Sequence, residues 1–558
     1  MVMNRFLATD IKSLDPVLAS DRYSSSIIGA IYQPLYDYHY LKRPYELTPL
    51  LAEDMPQISE DGLTFTIPIQ QGIYFQDDEC FPGGKGRELV AEDFVYSFKR
   101  IADINNKSTG WWIFDGRIVG LNEFREYTSE TDNVDYDREV EGLKALDKYT
   151  LQVTLTRQFP QFLYVLAMPY TVAIPREAVE FYGNAINRTA VGTGPFVLNE
   201  WRPGNRIVLD RNPGYWSDTY PAEGMPEDEE AGLLADAGKQ LPFLDRVNIY
   251  IYREPQTWWL NFQRGNLDIA GIPPDVFATV IDQNRQLRPE FQEKGITLFR
   301  EPSLDLTYLG FNWEDSDIGG KENVHLRKAI AYGYNTDHVI EHLYNHRAQQ
   351  AVGPIPPGLF GYREDLDNPW ATYDVEKAAE QLEKAGYPEG AGAPVLTLES
   401  SGADSLSRQM SDYLVQSMSE IGLRVQVNSS TFPQLLQQLN TKQAQVFGLG
   451  WGADYPDPEN FLQLFYGPNE SPGSNHFNYK NEEYDELYRR MAVLSDGPER
   501  QEIIDRMVGI LIEDIPCVFM THRVSYVLHY PWVHNFKPHE MATNTFKYLK
   551  VDKSETIE

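Results

Sequence analysis

The sequence predicts an α/β protein with more than one lobe, and three observations carry that expectation. Residues 395–449 run strand, helix, strand, helix, strand, the order that makes parallel strands with crossover helices. Short stretches with period-two alternation (63–67, 151–155) alternate elsewhere with amphipathic helical segments such as 91–101. Finally, 558 residues are enough to bury several cores.

Composition narrows the function classes. With 49 Lys and Arg against 82 Asp and Glu, the net charge of -33 argues against a nucleic-acid binder and disfavours docking on an anionic bilayer. A hydrophobic content of 42% with 13% aromatic residues is ordinary for globular proteins. The two cysteines, Cys80 and Cys517, build no disulfide framework, and their pairing stays open. No run approaches the ~20 apolar residues of a membrane span. No charged-then-apolar leader precedes Asn4, so either the protein is cytosolic or the numbering starts after a removed export segment.

Taken in order, 4–8 reads as a strand, followed by Ser13-Leu14-Asp15-Pro16 and an apolar segment, 27–36. Asp61-Gly62 makes a turn into the strand 63–67. The helix 91–101 places Phe94, Phe98 and Ile101 on one face, with Glu92 and Asp93 at its N-terminus. Residues 103–140 show no clear period, and 150–156 returns to strand alternation. Gly192-Thr193-Gly194-Pro195 precedes a hairpin of 196–198 and 206–210 that turns at Pro203-Gly204. The acidic segment 217–240, with Glu227-Asp228-Glu229-Glu230, is expected to be a solvated surface insertion.

Residues 247–252 read as a strand, 258–263 as the start of a helix and 308–312 as a strand. Three helices follow: 324–332 stopped by Gly333, 337–344 capped by Thr336, and 375–385 capped by Asp374 and ended by Gly386. In the diagnostic stretch, strands at 395–399, 423–427 and 444–449 alternate with helices at 405–421 and 432–440. Helices 481–493 and 499–513 and strands 518–520 and 526–529 complete the chain.

The chemistry concentrates at 448–462. Gly450 and Gly452 flank Trp451, so the backbone there can approach another chain or a ligand closely. Asp454 and Asp457 then emerge where the last parallel strand ends, and open α/β sheets bind ligands outside those carboxyl ends. Three roles are open to the two carboxylates: an acid/base pair, turn formation, or, for Asp454, the anchor of a cationic ligand group. His338-Val339-Ile340-Glu341-His342 matches the inverted zinc-peptidase pattern, with His346 four residues on, yet Val339, Ile340 and Leu343 form the apolar face. The histidines are therefore expected on solvated helix surface. There is no phosphate-binding loop and no G-x-S-x-G elbow.

Several stretches, in order, resemble family 5 of the bacterial extracellular solute-binding proteins, the oligopeptide and dipeptide receptors of ABC importers. They are Ser13-Leu14-Asp15-Pro16, 47–53 with Pro49-Leu50-Leu51-Ala52, 59–66, 91–98, Gly192-Thr193-Gly194-Pro195-Phe196, 201–204, Arg211-Asn212-Pro213-Gly214-Tyr215-Trp216, Leu326-Arg327-Lys328-Ala329-Ile330, 353–358 and 451–461. The resemblance implies a two-lobed periplasmic-binding-protein fold (type II-like) with an additional α/β domain on the first lobe. Hinge closure would enclose the ligand. Lobe one would comprise 1–45, 190–272 and 516–558, the extra domain 46–189, and lobe two 273–515.

It further implies a non-enzymatic, monomeric periplasmic or extracytoplasmic receptor without cofactor or metal, its export segment trimmed away. Its partners would be an extended peptide with a free α-amine and a membrane permease, not nucleic acid. Asp454 would pair with the peptide ammonium, and the backbones of Gly450-Trp451-Gly452 and Tyr23-Ser24-Ser25 would flank the peptide as neighbouring strands. Two departures concern the cation that would receive the peptide's carboxylate. Gly448 stands where one branch carries Arg, and 400–404 lacks the Arg of the dipeptide branch, leaving Arg408 nearest. The alternatives are another solute (an oligosaccharide, opine or metal chelate) or a metallopeptidase using His338, Glu341 and His342.

Overall fold

In a computed structural model, which describes residues 1–131, 133–216, 218–402 and 405–555, the backbone divides into two units. The first holds 1–273, 286–299 and 527–558, and the second 274–285 and 300–526.

In the first unit, Val2–Leu7 pairs in parallel with Arg246–Ile251, which continues antiparallel through Arg206–Arg211 to Phe196–Arg202. The last two strands form the expected hairpin, with Gly204 at a φ of +70° that suits glycine. A separate antiparallel sheet orders Gln57–Ile58, Thr64–Pro68, Thr150–Thr154 and Leu143–Asp147. Helix Ala91–Ala102 is buried through Phe94, Phe98 and Ile101, and Asp93 caps it by accepting from the Val90 N–H at 2.9 Å. Its Arg100 grips Asp15 with two bonds of 2.9 and 2.8 Å, both residues being buried. Asp15 of the Ser-Leu-Asp-Pro turn is thereby fixed to a helix 85 residues away.

The acidic segment 217–240 departs from expectation. Asp228 is buried and accepts from Lys537 at 2.7 and 2.8 Å, and Asp236 is buried and accepts from Asn535 at 2.8 Å. Tyr220, Leu233 and Leu234 pack with Tyr40, Leu41 and Tyr548. The charge run is thus partly a buried anchor for the C-terminal segment, because Asp228 meets a cation and Asp236 a carboxamide from that distant segment, Lys537 lying 309 residues on.

The second unit contains the predicted parallel core. Val395–Ser401 lies between Arg424–Ser430 and Val446–Gly452, parallel to both. Asp305–Phe311 adds antiparallel to Val446–Gly452, then Cys517–His529 pairs with Asp305–Phe311, and Ala348–Gln350 pairs with Cys517–His529. The two strands expected at 518–520 and 526–529 are one, because Thr521 and Arg523 between them are held in these pairings. Helices Ser405–Glu420, Val324–Gly333 and Val375–Lys384 bury Leu414, Met418, Leu326, Ile330 and Leu382 in one core with Leu396 and Leu398. Arg327 is fully buried, donating to the carbonyls of Ile318, Asp514 and Ile515 at 2.6 to 2.9 Å.

The helix expected at 337–344 begins one residue earlier. Asn335, not Thr336, is its cap, accepting from the His338 N–H at 2.9 Å, and Val339–Leu343 widens to a π-turn. Among the described residues, no helix is long and apolar enough to cross a membrane. Cys80 and Cys517 are both free thiols.

Candidate functional site

The last parallel strand has two unlike edges. Val446–Gly452 is paired along its whole length with Asp305–Phe311, from Val446 opposite Phe311 to Gly452 opposite Asp305. On the other side, Val395–Ser401 stays in register only at Leu398 with Val446 and Glu399 with Phe447. From Gly448 to Gly452 this second edge has no partner strand among the described residues. The strand runs three residues beyond the predicted end, so Gly450, Trp451 and Gly452 belong to it.

The glycines divide by surroundings. A Cβ on Gly450 would stand 3.3 Å from the carbonyl oxygen of Leu306, so Gly450 answers to close packing within the sheet. At Gly448 and Gly452 a Cβ would meet nothing within 4 Å, and neither residue has a positive φ. Beside Gly448 and Leu449 opens a cavity of about 190 Å³, bounded across the gap by Ser400 and Ser401 and by Met410 and Ser411 of helix Ser405–Glu420.

The turn after the strand is organised by a residue that sequence reasoning missed. Asn460 is fully buried, and its Oδ1 accepts from the Trp451 indole N–H at 2.9 Å and the Asp454 N–H at 3.1 Å. Its Nδ2 donates to Asp454 Oδ2 at 3.3 Å. One carboxamide therefore fixes both the indole and the carboxylate. The available signal was an Asn set between Glu459 and the apolar pair Phe461-Leu462.

The two carboxylates separate cleanly. Asp457 is buried, accepts from the Glu459 N–H at 2.8 Å, and takes two bonds from Arg500 at 2.9 and 2.6 Å. That is a structural ion pair with a turn bond, and no local signal announces a partner 43 residues later. Asp454 has surface open to water and forms no ion pair among the described residues. Protein atoms packed around the exposed carboxyl still displace part of the water that would solvate its charged form. The carboxyl is pushed up to about 6 by that desolvation, against the pull of the Asn460 hydrogen bond and with a smaller push from the charge of Glu459.

Other predicted residues fall elsewhere. Tyr23, Ser24 and Ser25 lie in the first turn of helix Arg22–Ile31, not in a strand. Asp21 caps it, accepting from the Ser24 N–H at 2.9 Å and the Ser24 hydroxyl at 2.8 Å, while the Ser25 N–H goes to the Asp21 carbonyl. Those N–H groups are spent on the helix, so the segment as folded offers no strand edge. His338 stacks on Tyr413 at 4.6 Å, and His342 and Glu341 are exposed. No group of three or more His, Cys, Asp or Glu among the described residues is arranged to hold a metal. Arg408 is exposed on its helix, and Ala403 and Asp404 lie outside the described residues.

One further cation was not foreseen. Arg347, half-buried just before Ala348–Gln350, donates to the Tyr344 carbonyl at 3.1 Å and lies over the Phe277 ring. Burial lowers its pKa, and no carboxylate pairs with it among the described residues.

The sequence model of the bacterial extracellular solute-binding proteins, family 5 Middle, matches residues 46–473. This chain belongs to that family. Its fold is shared with DppA of Helicobacter pylori, a periplasmic binding protein solved in complex with the peptide STSA, at a TM-score of 0.72 and 24% identity over 99% of this chain and 98% of that one. Among curated relatives, the oligopeptide-binding protein OppA of Bacillus subtilis (strain 168) is 24% identical over 92% of this chain and 86% of its own length. The heme-binding protein A of Haemophilus influenzae is 25% identical over 91% of this chain and 84% of its own. In this family 5 protein, then, the open edge and Asp454 lie at the strand end where α/β sheets hold ligands.

Proposed function

We propose that this family 5 protein is the receptor of an ABC importer for extended peptides with a free α-amine, held by main-chain pairing and passed to a membrane permease. The observation that carries this reading is the unpartnered edge of Gly448–Gly452 leading to a carboxylate with no cation of its own. A peptide in strand conformation supplies what both lack: N–H and C=O groups for the edge, and an ammonium for Asp454. Binding through the backbone leaves side-chain identity to the cavities beside it. The names of OppA and DppA support the same assignment.

In this reading the protein acts outside the cytoplasm as a non-catalytic monomer, and residues 46–189 form an additional domain on the first lobe. His338, Glu341 and His342 play no part, and near-zero zinc in purified protein is the expected result. The test is thermal melting with short mixed peptides, sugars and hemin. Peptides raise Tm, by about 2.7 kcal/mol of added stability at a hundredfold excess over Kd, and amine-acetylated peptides do not. Stabilisation by hemin alone favours the solute of the Haemophilus influenzae relative instead.

A further inference from the structure

The cavity beside the open edge has chemistry of its own. Leu309, Leu398, Leu414 and Met520 make its buried apolar floor. Ser400, Ser401, Met410 and Leu449 are only half-buried, so the space reaches the surface next to Gly448. None of the described lining residues is an acid, a lysine, an arginine or a histidine. Tyr334 and Tyr344 contribute phenols that burial holds far above and above their ordinary range, so they stay neutral. The Ser411 hydroxyl is held by the Ser407 carbonyl at 3.1 Å and the Ser400 hydroxyl at 3.3 Å, both neutral partners.

Size and polarity then select an occupant. An apolar cavity of roughly 150 Å³ holds a benzene ring, and this one measures about 190 Å³. A charged side chain entering it would lose hydration and find no counter-charge. The gap is also where the two parallel strands part, so a chain lying along Gly448–Gly452 passes its mouth.

We propose that this cavity is a specificity pocket for one neutral, ring-sized side chain of the bound peptide (Phe, Tyr, Leu or Met), and that it rejects Lys, Arg, Asp and Glu. The inference rests on the peptide-receptor reading and adds a substrate class to it. Glycine at 448 keeps the mouth open, since a Cβ there would meet nothing within 4 Å.

The test is a calorimetric scan of Ala-Ala-Ala-Ala with Phe, Leu, Lys or Asp placed at each position in turn. At one position Phe and Leu should bind at least tenfold more tightly than Ala, and Lys and Asp at least tenfold more weakly. In Ser411→Phe, which fills the cavity from the helix, the Phe-to-Ala ratio at that position should fall to near one. The ligand-free Tm of the variant checks its folding, and the scan on the parent stands without it. Equal affinities at every position would overturn the pocket while leaving the peptide receptor intact, and preference for Lys or Asp would overturn it by revealing a charge inside. Failure of the parent to bind any tetrapeptide would remove the receptor reading and the pocket together.

Discussion

Asn460 donates its carboxamide N–H to Asp454 at 3.3 Å while its oxygen holds the Asp454 backbone at 3.1 Å. The carboxylate is thus aimed by a buried neutral group and not by a cation, which leaves its charge available. Asn460→Ala should weaken binding of peptides with free amines about tenfold, because the carboxylate and the Trp451 indole lose their shared support. Asn460→Asp should weaken it further, since a second negative charge would be forced beside the first. Calorimetry with matched free and acetylated peptides checks both, and an equal loss for the acetylated series would make Asn460 merely structural.

The raised Asp454 carboxyl gives two pH dependences of opposite slope. Its folded-state value, about 6, exceeds the ordinary 3.8, so the folded protein binds the proton more tightly than the unfolded chain. Stability contributed by this group is therefore present below about 3.8 and lost as pH rises through 6. Ligand-free Asp454→Asn should melt higher than the parent at pH 7.5, and the difference should vanish near pH 4. Peptide affinity should go the other way, falling by up to tenfold per pH unit below 6 as the ammonium loses its counter-charge. Melting and calorimetric series in buffers from pH 4 to 8 read both slopes, and parallel slopes would refute the assignment.

Asp457 should behave as the structural member of the pair. Removing one partner of a buried ion pair leaves the other charged and unmatched, at a cost of about 3–5 kcal/mol. Asp457→Ala takes from buried Arg500 its buried carboxylate, although Asp496 at 2.7 Å and the Met491 carbonyl at 3.3 Å still accept from it, and a urea transition shifted well below the parent's is the expected outcome. Asp454→Ala should shift it far less, while losing peptide binding.

How much of this could be read in the chain depended on the range of the interaction. The parallel core was legible because each strand and helix carries its own periodicity, and Asp374 and Phe432–Asn440 fell where local signals put them. The cap at Asn335 was missed by one residue because Asn335 and Thr336 are both good caps, and only the backbone decides between them. The burial of Asp228 was invisible because Lys537 is 309 residues away. At Tyr23-Ser24-Ser25 the resemblance implied a strand where the chain is helical, and Asp21 is the local cap signal that went unread. In the candidate site, Trp451 and Asp454 stood out by residue type, but the open edge beside them is a property of pairing that no single strand reveals.

Arg347 offers a cation to an anionic end of the ligand. It is half-buried and lacks a carboxylate partner, and Tyr344, whose carbonyl it holds, lines the specificity cavity. Arg347→Gln should weaken tetrapeptides with a free C-terminus at least tenfold and leave C-terminally amidated ones nearly unchanged. Equal losses in the two series would mean that Arg347 supports the fold around Phe277 instead.

The two glycines on either side of Leu449 make opposite predictions from one strand. Gly450 faces a backbone carbonyl held in the sheet, so Gly450→Val must displace Leu306 and should lower stability by about 1–3 kcal/mol. Gly448 has ordinary φ and empty space beyond its Cα. Gly448→Val should therefore keep stability, or raise it by about 0.5–1 kcal/mol through the lower entropy of the unfolded chain. Yet its branched side chain would stand at the mouth of the cavity and along the unpartnered edge, and peptide affinity should drop at least tenfold. A variant that melts as high as the parent and no longer binds separates a ligand edge from a merely unfinished sheet; one that melts as high and binds as well would show that the peptide lies elsewhere.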